Sequence, residues 1–245
     1  TPLAKLSGQV DNFEILFDGP LHATTVNPLS PLQSTSLKIS NLSYPIGGTK
    51  LSDFGMLIEL QNSRISLKNG QGIFAQTPFR FSGASGLMNQ ELPEIAFALN
   101  STADLKQLQT EFSSPFLNRQ TLTGTAPIDL IVQGPLNRLT TKLKIDLSKT
   151  ELSFGKLLEK PQETPFTIEL NGQIEPDLLT ISKAEFNIAQ TSIGLRGSLA
   201  HKHDLWIGEL KLAPLSLESL QPVSPIFAFF KIEGETQGQL KREGS

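Results

Sequence analysis

The sequence predicts an all-β protein whose strands follow one another in an elongated, curved antiparallel sheet. Three observations lead there. Apolar and polar residues alternate with a period of two along most of the chain, as half-buried strands require. A stretch of some twenty residues occurs twice with the same patterning, and only two short segments carry a helical signal.

The clearest alternation lies in Leu179–Leu199: Leu179, Ile181, then Phe186, Ile188, then Ile193, Leu195. An earlier copy runs from Ile65 to Leu87. Ala75-Gln76-Thr77 falls on Ala189-Gln190-Thr191, 114 residues downstream without a gap, so that Phe79 falls on Ile193, Phe81 on Leu195 and Gly83 on Gly197.

The remaining elements follow in order. An alternating strand carrying Phe13, Ile15 and Phe17 ends at a turn, Asp18-Gly19-Pro20-Leu21. The same arrangement returns with Ile128, Leu130, Val132 and Gln133-Gly134-Pro135-Leu136. A polar loop over 22–34 precedes Leu37 and Ile39, which correspond to Leu143 and Ile145; Phe54 and Met56 then correspond to Ile168 and Leu170. After the paired stretches comes one further strand, marked by Ile95, Phe97 and Leu99 in the first copy and by Leu205 and Ile207 in the second. A short helix closes each unit. Asp104 has the capping chemistry for Leu105–Leu108, with Gln107 three positions on, and Ser216 stands in the same place before Leu217–Leu220. Pro115 and Pro222 lie beyond, where a helix stops. From Phe229 to Leu240 the pattern reads as the opening strands of a third copy. The expected organisation is a first repeat over 1–119, a second over 120–233 and the start of a third over 234–245, with a repeat of roughly 112 residues and about sixteen strands in all.

Composition bounds the function. With 245 residues, 38% hydrophobic, the chain can bury a sizeable apolar surface. Twenty-one basic and 24 acidic residues give a net charge of −3 without a basic run, which argues against nucleic acid as a partner. The absence of cysteine excludes a disulfide framework and thiolate chemistry. The longest apolar run, Pro225–Phe230, falls far short of the ~18 residues of a membrane span. A start at Thr1 without a signal-peptide pattern is expected of a processed chain or an excerpt.

Nearly every strand has one apolar and one polar face, as in Leu143, Ile145 and Leu147 against Lys144 and Asp146. An apolar face must be covered, by a second sheet, by closure into a barrel, or by a ligand lying in a groove. The sandwich or barrel is the common answer. Repetition favours an array that grows by addition.

The pattern resembles the AsmA-like family of bacterial envelope proteins, of the TamB and YhdP types. The residues that carry the resemblance are Gly124-x-Ala126-Pro127-Ile128-x-Leu130-x-Val132-x-Gly134-Pro135-Leu136, then Leu143-Lys144-Ile145-Asp146-Leu147, Lys160-Pro161, and the alternating run over 179–199. The resemblance implies a U-shaped β-sheet, a "β-taco", whose apolar inside holds phospholipid acyl chains and conducts them between the inner and outer membranes. It implies a periplasmic location, with an inner-membrane anchor in parts of the parent protein outside this chain. The groove residues expected on this reading are Phe79, Phe81, Ile95, Phe97 and Leu99 in the first copy. In the second they are Leu143, Ile145, Phe166, Ile168 and Leu170, then Leu179, Ile181, Phe186, Ile188, Ile193 and Leu195. The alternative from another class is a structural or adhesive cell-envelope repeat protein in which the same residues form a dry core.

Catalysis finds no constellation in the sequence, so the chain is expected not to be an enzyme and to need no cofactor. His201-Lys202-His203-Asp204 places two histidines at i, i+2, yet His22 is the only other one, and a polar hairpin loop is the plainer reading. Glu91 and Glu94 flank Pro93 as ordinary surface carboxylates, and Gly70, Gly72, Gly83 and Gly86 read as turn or bulge glycines. Two expectations follow from an open array. The terminal strands, near Phe13 and Phe229, should associate end to end. Ile188→Asp and Ile193→Asp should both leave the fold intact and abolish lipid binding.

Overall fold

A computed structural model of the chain describes residues 7–17, 32–46, 49–61, 64–87, 92–111, 120–155, 157–202, 205–230 and 235–242. The turn at Asp18–Leu21, most of the loop expected over 22–34, Glu91, Pro115 and the His203-Asp204 pair lie outside these residues. The chain divides into two units, one comprising 1–101 and 131–136, the other 102–130 and 137–245.

In the first unit six long strands follow in chain order, each antiparallel to the next: β1 (Ser7–Phe17), β2 (Leu32–Ile46), β3 (Thr49–Gln61), β4 (Arg64–Phe74), β5 (Thr77–Leu87) and β6 (Glu94–Asp104). The second unit opens with α1 (Leu105–Glu111). Asp104 Oδ1 accepts the N–H groups of Lys106 and Gln107, both at 3.0 Å, so the capping residue read from sequence does cap this helix. Next come β7 (Thr121–Pro135), β8 (Leu139–Asp146), the short pair β9 (Thr150–Ser153) and β10 (Glu159–Lys160), then β11 (Phe166–Glu175), β12 (Leu178–Ile188), β13 (Thr191–Lys202) and β14 (Leu205–Ser216). Strands β8, β11, β12, β13 and β14 are successive antiparallel neighbours, and β15 (Glu235–Arg242) pairs with β14. Gly134-Pro135, expected in a turn, end β7, and the turn itself is Leu136–Arg138.

The strand order is open. Strand β1 pairs with β2 and β15 with β14, and the described pairings do not close a barrel. Fifteen strands are described, close to the sixteen expected. The second helical signal becomes a single 3-10 turn, Glu218–Leu220, because Pro222 stops it. It is followed by α2 (Pro225–Phe230), which takes in Phe229. Phe229 is therefore helical where a strand was expected, and the last strand begins at Glu235: Pro225 favours the first turn of a helix, and the five-residue apolar run that follows lacks alternation. Among the described residues no helix is long and apolar enough to cross a membrane.

Several strands are broken by bulges. Asn41, Asp53 and Asn69 adopt left-handed backbone angles (φ 52°, 50° and 52°) where register shifts interrupt β2, β3 and β4. Asn and Asp accept that conformation more readily than other side-chain-bearing residues.

Candidate functional site

In an antiparallel ladder, residues directly opposite one another point to the same face, so register decides which side chains meet. In the second unit, Leu143 and Ile145 of β8 lie opposite Leu170 and Ile168 of β11. Across the next pairing, Phe166, Ile168 and Leu170 face Ile188, Phe186 and Ala184 of β12. These in turn face Thr191, Ile193 and Leu195 of β13, and Leu195 faces Leu212 of β14.

Leu179 and Ile181 are an odd number of residues from Phe186 and should point the other way. A bulge at Ser182–Lys183 corrects this: Ile181 pairs with Gly172 and Ala184 with Leu170, which brings both halves of β12 onto one face. All eleven positions anticipated in this unit therefore share a face, which Ala184 and Leu212 complete.

The first unit repeats the device. Strand β4 bulges at Lys68–Asn69, so Ile65 and Leu67 join Gly70 and Gly72 on one face. There Gly72 lies opposite Phe79 and Gly70 opposite Phe81, while Leu99, Phe97 and Ile95 of β6 lie opposite Phe81, Gly83 and Ser85. Glycine is required at both β4 positions. A Cβ on Gly70 would stand 2.5 Å from the Phe81 ring, and one on Gly72 would stand 2.7 Å from that of Phe79. The rings lie over the bare backbone and over one another. Phe81 stacks on Phe54 at 5.5 Å between centroids and meets Phe79 at 6.1 Å and Phe97 at 5.7 Å, so that Phe81 is 8% exposed. Of the four glycines expected in turns or bulges, all are strand residues: Gly70 adjoins the β4 bulge and Gly86 lies at a register shift in β5, whereas Gly72 and Gly83 are regularly paired.

The apolar face of the second unit differs from end to end. At one end Phe166 and Ile188 join Ala126, Leu147, Leu152 and Val223 in a closed cluster, where Ile188 is 3% exposed. At the other end of β11, Ile174 is 43% exposed. The segment between β8 and β11 makes the closure. Leu147 N–H donates to Phe166 O at 2.7 Å, and Glu159 N–H donates to Val223 O at 2.9 Å. Thr191 Oγ1 donates to Ser219 O, tying down the 3-10 turn.

Lys160 holds this segment from within. It is 1% exposed, and its ammonium donates to the carbonyl oxygens of Ser148 (3.2 Å), Thr150 (2.5 Å) and Pro161 (3.1 Å), which uses all three of its protons. Burial pushes its pKa down, and the nearby carboxylates of Glu163 and Asp146 offset part of that. The hydroxyl and the N–H of Ser148 both serve Asp146, the latter at 2.9 Å, and hold that carboxyl below the usual range.

Ile188 and Phe166, expected in a groove, are thus members of a covered core, and Ile188→Asp reports on that core. Ile193, Leu195, Leu170 and Phe186 are half-buried and remain informative positions. Among the described residues no group of three or more His, Asp or Glu is placed to hold a metal. Lys160 carried no sequence signal beyond its place before Pro161, because two of the three carbonyls that hold it, those of Ser148 and Thr150, lie ten or more residues away.

The chain matches no family model, no curated protein and no solved structure.

Proposed function

We propose that this chain is a lipid-holding segment of an AsmA-like envelope protein. It would keep phospholipid acyl chains on the apolar face of its open sheet and conduct them between the inner and outer membranes. One observation carries the reading: a largely apolar face, interrupted by Thr141, Gly172 and Thr191, that runs from β8 to β14 in a strand order that does not close. A face of that extent must be covered in water, and half-buried side chains such as Ile168, Phe186 and Leu195 are suited to an acyl chain lying along them. The two bulged hairpins with matching turns support a repeated construction. On this reading the chain works in the periplasm, its membrane attachment lies in other parts of the parent protein, and end-to-end pairing of its edge strands extends the path. The particle should then be elongated in small-angle scattering.

The second reading, a structural repeat protein with a dry core, draws on the closed cluster around Ile188. Lipid extraction followed by mass spectrometry of the purified protein separates the two. Co-purifying phospholipid that is depleted in a folded Ile193→Asp protein supports the conduit. Lipid-free protein from several preparations, or undiminished lipid in that variant, sinks it.

A further inference from the structure

The other face of the second unit holds an arrangement that its fold alone does not require. Arg196 of β13 lies directly opposite Lys211 of β14. On the β12 side, the bulge residues Ser182 and Lys183 lie opposite Arg196, between the pairs Ile181–Gly197 and Ala184–Leu195. Three cations therefore sit side by side across three strands, and like charges directly opposite one another in a sheet are destabilising. The row continues from Lys183 through Asn171 to Lys142.

Two of the three cations have carboxylate partners on their own strands: Lys183 with Glu185 at 2.9 Å and Lys211 with Glu209 at 3.1 Å. Arg196 is exposed and has no hydrogen bond or ion pair among the described residues. Beside it the chain places its smallest side chains, since a Cβ on Gly194 would meet that of Ala213 at 3.3 Å. The result is a cavity of about 830 Å3 whose lining includes Lys183, Glu185, Gly194, Arg196, Lys211 and Ala213.

We propose that Arg196, flanked by Lys183 and Lys211, binds a phosphate group. The guanidinium presents two parallel N–H donors matched to two phosphate oxygens, and the lysines add charge without competing for that geometry. Three cations against Glu185 and Glu209 leave the group net positive by one, the charge of Arg196, which suits an anion. The group reaches the site either on a soluble compound or as a lipid headgroup at a membrane surface. Arg196 and Lys211 alternate along their strands with Leu195 and Leu212 of the apolar face, which also line the cavity.

The test uses inorganic phosphate in a calorimetric titration and, in parallel, flotation with vesicles of phosphatidylcholine with or without phosphatidic acid. Saturable phosphate binding is expected, weakened about tenfold or more in Arg196→Gln and less in Lys211→Gln. It should be unchanged in Lys106→Gln, which makes the same charge change on α1; circular dichroism confirms that each variant is folded. Phosphatidic-acid-dependent flotation that Arg196→Gln abolishes assigns the headgroup as the source, and phosphate binding without flotation assigns a soluble compound. Absence of saturable binding to either probe overturns the proposal. So does equal weakening in Lys106→Gln and Arg196→Gln, which marks net charge alone.

Discussion

The hairpins β4–β5 and β12–β13 share a plan and fill it differently. Each has a two-residue turn, Ala75-Gln76 with both residues left-handed and Ala189-Gln190 with Ala189 left-handed, a conformation that suits the twist of paired strands. Each carries a bulge in the first strand, at Lys68–Asn69 and Ser182–Lys183, and β4–β5 has a second register shift near Ser85–Gly86. In β4–β5 the cross-strand pairs are Gly72–Phe79 and Gly70–Phe81; at the aligned positions of β12–β13 they are Phe186–Ile193 and Ala184–Leu195. What is kept is the filling of each pair as a whole, while the strand that supplies the bulk can change. The surroundings differ too. Strands β2 and β3 are joined through residues 47–48, whereas β8 reaches β11 through the β9–β10 segment that covers Phe166 and Ile188.

The largest effect should come from placing one charge at two depths of the second unit. Ile188→Asp buries an unpaired carboxylate in the closed cluster and costs several kcal/mol, enough to unfold a unit of ordinary stability. Ile193→Asp, on the half-buried part of the same face, should leave a cooperative unfolding transition with a modestly lower midpoint in urea. Equal loss in both would show that the face is packed throughout.

Next in size is the buried Lys160 of the second unit. Lys160→Met strands three carbonyl oxygens in the segment over Phe166, and the expected loss is about 3 kcal/mol in denaturant unfolding. A loss under about 1 kcal/mol would mean that the β9–β10 segment is held by its apolar contacts alone.

A double-mutant cycle tests the exchange of bulk directly. Gly70→Ala should cost about 1–3 kcal/mol by crowding the Phe81 ring. Phe81→Leu on top of it re-creates the Ala184–Leu195 pair and should recover part of that, with a coupling of about 0.5–2 kcal/mol. Strict additivity would separate the two hairpins as unrelated solutions.

The smallest effect concerns pH. Asp146 has a folded-state pKa below the usual carboxylate range, so its contribution is fully present above about pH 4 and is lost as pH falls through the lower folded value. Asp146→Asn should therefore be less stable than the parent at neutral pH, with the gap closing in acid. In the first unit Glu59 is also held low, by its hydrogen bond from Lys68, but the pair is solvent-exposed. Glu59→Gln should leave the acid limb unchanged.

Much of this was legible in the sequence because a period of two has few other readings. Alternation placed the sixteen apolar positions on strand faces, and it does not say what covers those faces. Even the β12 bulge was present as a change of parity between Ile181 and Phe186. The helix at Phe229 was missed because five apolar residues without alternation suit a strand or a helix equally. The covering of Ile188 was missed for a different reason: it is made by residues distant in sequence, Ala126 and Val223 among them, and the pattern around Ile188 is the same with or without them. The basic row around Arg196 was likewise invisible, since Lys183, Arg196 and Lys211 become neighbours only through strand register.

The order of strands within each unit also bears on how the chain is made. From β1 to β6, and from β11 to β15, each strand finds its partner in the strand just before it. Such pairings need only short loops to close, so their entropic cost falls early and in small steps. A ribosome releasing this chain from its N-terminus would supply each strand when its template is already in place. Growth would proceed like a zipper, one hairpin at a time, with the newest strand as the edge to which the next one adds. The exception is the cluster around Ile188, where Ala126 must wait for Val223: that corner of the second unit would set last.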